Sequence, residues 1–317
     1  MRGSIPDGVW PTMITPFSQS DEVDYLALEE LIEWYISNKV NGLFAVCQSS
    51  EMFYLTLEER IKIAAFVNEK AAGRVPVIAS GHISDSFDDQ IKEINLMAGT
   101  GVAAVVLITN KLAGPDDTEN EWLKNLERLM GQIPQDINLG LYECPYPYKR
   151  IISPELLKIC GETERFTFIK DTCCDIDMIK EKIMSVSNSG LKLFNANTAT
   201  LLKSLEFGAA GYSGVMANFH PLLYSWLLDH WNTHPQKALL ISNFLTMASW
   251  IERQLYPVNA KYHSRLEGLN MELFTRSRDS SAFSGLFKLE IEELQELEKA
   301  AYRYLEIGYR REMDKHE

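Results

Sequence analysis

The chain is poor in the features that mark secreted, membrane-bound and nucleic-acid-binding proteins. It carries five cysteines in 317 residues: Cys47, Cys144, Cys160, Cys173 and Cys174. Their number is odd and no Cys-x-x-Cys pair occurs, which argues for reduced thiols in a cytoplasm rather than a disulfide framework. Metal-ligand spacing is missing too. Cys47, Cys144 and Cys173 each follow a predicted strand and could converge with His82, but no two are spaced like a zinc pair, so no metal is expected. Basic residues are outnumbered, 31 Lys and Arg against 44 Asp and Glu, for a net charge of −13. That excludes the basic face that phosphate contact needs, so no nucleic-acid partner is expected. Long hydrophobic runs are absent: residues 102–108 are strand-length and 221–228 are broken by polar side chains, so no membrane span is expected. The opening Met-Arg-Gly-Ser-Ile-Pro lacks the apolar core of a signal peptide. Residues 12–18 lack the glycine-rich phosphate turn that would mark a doubly wound dinucleotide fold.

What is present is regular. The chain is 46% hydrophobic and 24% charged, ordinary for a soluble globular protein. Short β-rich runs at 9–14, 42–46, 75–79, 103–108, 137–142, 166–170, 191–195 and 211–215 alternate with helical patterns near 25–37, 57–72, 87–98, 121–130, 154–160, 176–184, 199–206 and 221–231. Asp24, Thr56 and Ser153 are helix N-caps by type, and Thr56 with Glu59 forms a capping box. Gly42, Gly101 and Gly208 stand where helices hand over to strands, as left-handed C-terminal residues would. Eight strand–helix units predict an α/β protein, a (β/α)8 TIM barrel over 1–224. Residues 225–317 read as a C-terminal helical extension, with helices at 236–255, 259–266 and 290–306. Its apolar positions, Leu239, Leu240, Phe244, Leu245, Trp250 and Ile251, predict packing on the barrel and subunit contacts.

In a barrel the residues just after each strand meet at the C-terminal face, where chemistry sits. Lys170 ends the apolar run Phe166-Thr167-Phe168-Ile169. An amine beside a hydrophobic wall loses solvation when protonated, so its free base becomes available to attack a carbonyl. Tyr142, ending another strand, is placed to carry protons. Gln48, Ser49 and Ser50 offer hydrogen bonds to a carboxylate, and Lys111 on the same rim is a candidate anchor for an anionic or hydroxylated tail.

These motifs together resemble the dihydrodipicolinate synthase / N-acetylneuraminate lyase family of pyruvate-dependent class I aldolases, over roughly residues 6–265. Trp10-Pro11-Thr12-Met13-Ile14-Thr15-Pro16-Phe17 resembles the family's opening strand. Cys47-Gln48-Ser49-Ser50-Glu51 occupies the place of its Gly-Thr-Thr-Gly-Glu loop. Tyr142-Glu143-Cys144-Pro145 resembles Tyr-Asn-x-Pro, Phe168-Ile169-Lys170-Asp171 the segment with the Schiff-base lysine, and the run from Gly208 through Ser213 and Gly214 the last strand. The resemblance implies that Lys170 condenses with a 2-keto acid, that Tyr142 shuttles protons, and that Ser49 and its neighbours hold the carboxylate. It adds Ser213 and Asn197 as substrate contacts, the latter where sialate lyases use an acidic residue. No cofactor is implied beyond the covalent adduct, and a homotetramer or homodimer is. Departures concern the far end of the substrate. Asn110-Lys111-Leu112 stands for Pro-Tyr-Tyr, so the tyrosine that a neighbouring subunit lends to the proton relay is missing. Pro147 stands where the synthases place a substrate-binding arginine, with Lys149 and Arg150 slightly later. The implied activity is a Schiff-base lyase or aldolase. The alternatives are dihydrodipicolinate synthase, a 2-keto-3-deoxy sugar acid dehydratase, or a keto-acid-binding barrel with impaired turnover.

Overall fold

The computed structural model describes residues 5–307. Eight strands form one parallel sheet: β1 (Gly8–Val9), β2 (Leu43–Phe44), β3 (Val77–Ala79), β4 (Ala104–Ile108), β5 (Leu139–Tyr142), β6 (Phe166–Asp171), β7 (Lys192–Asn195) and β8 (Gly211–Tyr212). Their order is β1-β8-β7-β6-β5-β4-β3-β2. The two ends of this series meet where Thr12, just past β1, bridges to Phe44 of β2, with Met13 N–H donating to Phe44 O at 3.0 Å. The sheet thus curls on itself as the expected (β/α)8 barrel. The strands are shorter than the apolar runs because buried residues such as Ala45 and Val46 continue the run after the ladder has ended.

Each strand is followed by a helix: α1 (Tyr25–Ser37), α2 (Leu57–Ala71), α3 (Phe87–Ala98), α4 (Glu119–Met130), α5 (Pro154–Glu162), α6 (Ile176–Val186), α7 (Thr198–Glu206) and α8 (Pro221–His230). The side chains of Asp24 and Ser153 accept from the first-turn amides of α1 and α5. Thr56 and Glu59 close the capping box of α2. Gly101 and Gly208 take φ of 81° and 101°, as read from the sequence. Gly42 does not; a Cβ there would lie 2.3 Å from the Trp10 ring, so packing and not a left-handed turn requires glycine.

α8 carries the barrel past the boundary expected at residue 224. The extension then comprises α9 (Pro235–Ala248), a 3-10 turn (Ser249–Arg253), α10 (Val258–Leu266) and α11 (Gly285–Leu305). The helix expected over 236–255 therefore stops at Ala248. The 3-10 turn follows, and the chain leaves it at Gln254 in extended conformation. Leu245 is buried, whereas Leu239, Leu240 and Trp250 are exposed. Among the described residues no helix is long and apolar enough to cross a membrane.

Candidate active site

Tyr142 and Lys170 are register partners on β5 and β6, so both side chains rise from neighbouring strand ends into one space. The Lys170 Nζ sits 4.6 Å from the Tyr142 ring centroid, and both residues are buried. Beneath them lies an aromatic floor. Phe44 meets Tyr142 edge-on at 5.8 Å, Phe168 stacks on Phe194 at 4.5 Å, and Trp10 closes on Phe168 at 5.6 Å. Burial lowers the Lys170 pKa, against the opposing pull of Cys47, Cys144 and Glu252. Burial also holds the Tyr142 phenol well above its ordinary value, so it stands protonated, a donor first.

The two strand ends are locked from behind. Lys182 of α6 is fully buried and bridges Glu143 at 2.5 Å and Asp171 at 2.6 Å, the residues next to Tyr142 and Lys170. Glu143 also accepts from Ile152 N–H at 2.9 Å and Thr172 N–H at 2.8 Å. The glutamate standing where the resembling motif has asparagine is thus matched by a buried cation. Burial opposes the charge on Lys182, but the two carboxylates outweigh it and hold the ammonium above its usual pKa.

A cavity of about 470 Å³ opens above Lys170, within the usual size of small-molecule sites. Of the residues singled out from the sequence, Gln48, Ser49, Tyr142, Lys170 and Asn197 line it. Ser49 Oγ hydrogen-bonds Thr12 Oγ1 at 3.2 Å and the Tyr256 hydroxyl. Gln48 Oε1 accepts from the Cys144 thiol, and Asn197 caps α7 through Thr200 N–H. Three others are not brought in. The Ser50 hydroxyl is consumed by backbone, accepting from Cys47 N–H and reaching the Met13 and Ala45 carbonyls, all at 2.9 Å. Ser213 is buried with its Oγ unpartnered and does not line the cavity. Lys111 pairs with Asp85 at 2.8 Å over a separate depression between α3 and α4. Asn110, where the resembling family has tyrosine, ties down the loop after β5 by donating to the Cys144 and Tyr146 carbonyls, each at 3.0 Å. Lys149 reaches the cavity and donates to Thr172 O, while Arg150 turns away to the Gly114 and Asp117 carbonyls.

Sequence reading of strand ends missed Glu252, Tyr256 and Arg278, which also line the cavity. They come from the extension, for which barrel periodicity gives no register. The one available signal was the break in helical pattern before Pro257. The segment carrying Arg278 is pinned across the barrel mouth by its neighbour Arg276, which binds Glu59 and Asp21, and by Glu51, which accepts from Arg276 and Ser277 N–H. A cluster of metal-ligating type, His220, His263 and Glu298, is buried where α8, α10 and α11 meet, and none of the three lines the cavity.

The described residues thus form a parallel barrel with a dehydrated amine at its C-terminal face, under a cavity of metabolite size. Residues 6–279 match the dihydrodipicolinate synthetase family, and the chain belongs to that family. With it the chain is placed among pyruvate-dependent class I aldolases and lyases. It is 29% identical over 228 residues to the 4-hydroxy-tetrahydrodipicolinate synthase of Methanococcus maripaludis, covering 71% of this chain and 75% of that one. For the synthase of Wigglesworthia glossinidia brevipalpis the figures are 27% over 206 residues, 65% and 67%. Among solved structures, the fold matches YagE, a prophage protein of the dihydrodipicolinic acid synthase family from E. coli K12 in complex with pyruvate. That match has TM-score 0.83 at 21% identity and covers 92% of this chain and 98% of that one. A dihydrodipicolinate synthase of Bacillus anthracis matches with TM-score 0.83 at 18% identity, covering 93% and 99%.

Proposed function

We propose that this protein forms a Schiff base between Lys170 and the C2 carbonyl of pyruvate or a longer 2-keto acid, and makes or breaks a C–C bond through it. The observation that carries the reading is the pairing of a desolvated Lys170 with Tyr142 at register-matched strand ends. A protonated imine is an electron sink for the carbanion left when the C3–C4 bond breaks or a C3 proton leaves. Ser49 and Gln48 would hold the carboxylate and so fix that bond against the imine plane. The pyruvate bound to YagE supports a keto acid of this size.

Two departures from the family pattern argue against the lysine-pathway synthase. Pro147, in the arginine place, and Asn110 both line the separate depression rather than the cavity, and Asn110 is committed to the loop after β5. We favour a substrate with a hydroxylated or anionic tail, such as a 2-keto-3-deoxy sugar acid, cleaved or dehydrated; Lys149 and Arg278 are the cations at hand. The proposal includes a homo-oligomer, supported by exposed Leu239, Leu240, Met247 and Trp250 on and after α9. It also includes a cytoplasmic setting, supported by five free thiols.

Borohydride reduction in the presence of pyruvate should add one reduced-pyruvate mass to the peptide around Lys170, and Lys170→Ala should abolish it in a folded protein. Labelling at Lys149 or Lys111 instead would overturn the assignment. Side-by-side rates with aspartate semialdehyde and with 2-keto-3-deoxy sugar acids then settle the tail. Efficient condensation with the semialdehyde, kcat/KM on the order of 10⁴ M⁻¹s⁻¹ or more, would refute the sugar-acid preference.

A further inference from the structure

Turning a keto-acid imine into its nucleophilic enamine requires a base at C3 and a path for the proton to water. The inner wall of the cavity offers little of either. The Tyr142 phenol is held protonated by burial. Burial pushes the Cys144 thiol up to about 11, and the amide of Gln48 cannot alternate between two protonation states. Two carboxylates line the cavity, Glu51 and Glu252. Glu51 is buried and tied to the extension: its Oε2 accepts from Arg276 N–H at 2.8 Å and Ser277 N–H at 2.6 Å, while its Oε1 makes no hydrogen bond and lies 3.8 Å from Lys261 Nζ. Glu252 is different. It sits on the 3-10 turn after α9, borders both the cavity and open solvent, and among the described residues no hydrogen bond or ion pair engages it.

From these placements we infer that Glu252 is the acid–base group that moves protons between the Lys170 adduct and solvent. In the pyruvate iminium, the Glu252 carboxylate removes a C3 proton. The C3–H electron pair becomes the C2=C3 bond, the C=N pair returns to nitrogen, and the carboxylic acid releases its proton to water. The reverse sequence returns it. This inference rests on the imine at Lys170. The surrounding groups suit the task. The charge of Glu252 is felt by Lys170 and Cys174 on β6 and its loop, by the buried Tyr212 of β8 and Tyr224 of α8, and by Tyr256 and Arg253 on its own stretch. Lys149 and Arg278 line the same cavity. Partial burial raises the carboxyl pKa, with Arg253 and Lys170 opposing, which makes Glu252 a stronger base than a fully solvated carboxylate.

The full chain with pyruvate in D₂O should exchange the methyl protons of pyruvate, read by NMR. The exchange should rise with pH through the raised carboxyl pKa. Glu252→Gln should slow exchange by roughly 10²–10³-fold and erase that pH limb, while borohydride still traps the Lys170 adduct. Glu252→Asp should recover part of the rate. A folded Glu252→Gln that exchanges at the wild-type rate would overturn the inference and leave the imine standing. Loss of the trapped adduct in Glu252→Gln would also overturn it, since the residue would then serve imine formation. Absence of any adduct in wild type would remove the imine, and this inference with it.

Discussion

At Lys170 burial strips the amine of the water that would stabilise its charge, and the aromatic layer of Phe44, Phe168, Phe194 and Trp10 lies beneath it. Each pKa unit lost corresponds to about 1.4 kcal/mol of differential interaction, so modest dehydration already raises the free-amine fraction at neutral pH. Tyr142 is tuned the opposite way by the same burial, and its phenol donates rather than accepts. Protonating a departing oxygen in carbinolamine dehydration is the role this suits. Tyr142→Phe should therefore lower turnover by roughly 10²–10⁴-fold, the range of a general acid–base group, with ligand affinity changing far less. An unaltered rate for purified Tyr142→Phe would show that the hydroxyl moves no proton. The placement of both side chains at neighbouring strand ends was legible in the sequence, because a strand end in a barrel dictates where a side chain goes. Ser50 and Lys111 were misplaced because a residue type does not reveal its partner. The Ser50 hydroxyl found three backbone groups and Lys111 found Asp85.

At the scale of elements, β5 and β6 are held in register by more than their ladder. Lys182, one helix later, reaches back to a carboxylate at each strand's end. Glu143 and Asp171 could not share this space as two unpaired charges, and burial together with Asp171 already raises the Glu143 pKa. Removing one partner of a buried ionic cluster costs about 3–5 kcal/mol because the other charges stay behind. Lys182→Met should lower the thermal midpoint accordingly and reduce pyruvate trapping at Lys170. A variant as stable as wild type would mean that the cluster is dispensable for the strand ends. Helix starts were readable in the sequence because Asp24, Thr56 and Ser153 cap through bonds within four residues. The Lys182 cluster was not, since Glu143 lies 39 positions away and a lysine in an amphipathic helix reads as surface.

For the whole molecule, the extension completes the wall of the cavity, so the cavity's shape depends on how it docks to the barrel. Glu252, Tyr256 and Arg278 arrive with it, and α11 is fastened by Glu298. Its carboxylate faces His220 Nδ1 at 3.1 Å and His263 Nε2 at 3.3 Å and accepts from the Tyr302 hydroxyl at 2.6 Å. Burial favours the neutral acid, but the two histidines outweigh it and bring Glu298 down to about 2. Its share of stability is thus present above the ordinary carboxyl value and is lost as pH falls through about 2. Burial opposes a charge on His263 too, yet Glu298 raises its pKa overall. The histidine's share is therefore complete below its ordinary 6.5 and is lost as pH rises through the raised value. Both contributions are complete together between about 4.5 and 6.5. Glu298→Gln should therefore destabilise the chain most in that window, by about 3 kcal/mol or more, and less on either side. Thermal melts of wild type and variant across pH 3–9 would read the difference. A flat, pH-independent loss would mean that Glu298 holds α11 by packing alone. Because the segments leading into α10 and α11 carry the cavity's outer wall, pyruvate-dependent exchange should fail in Glu298→Gln at temperatures where the barrel's own secondary structure survives.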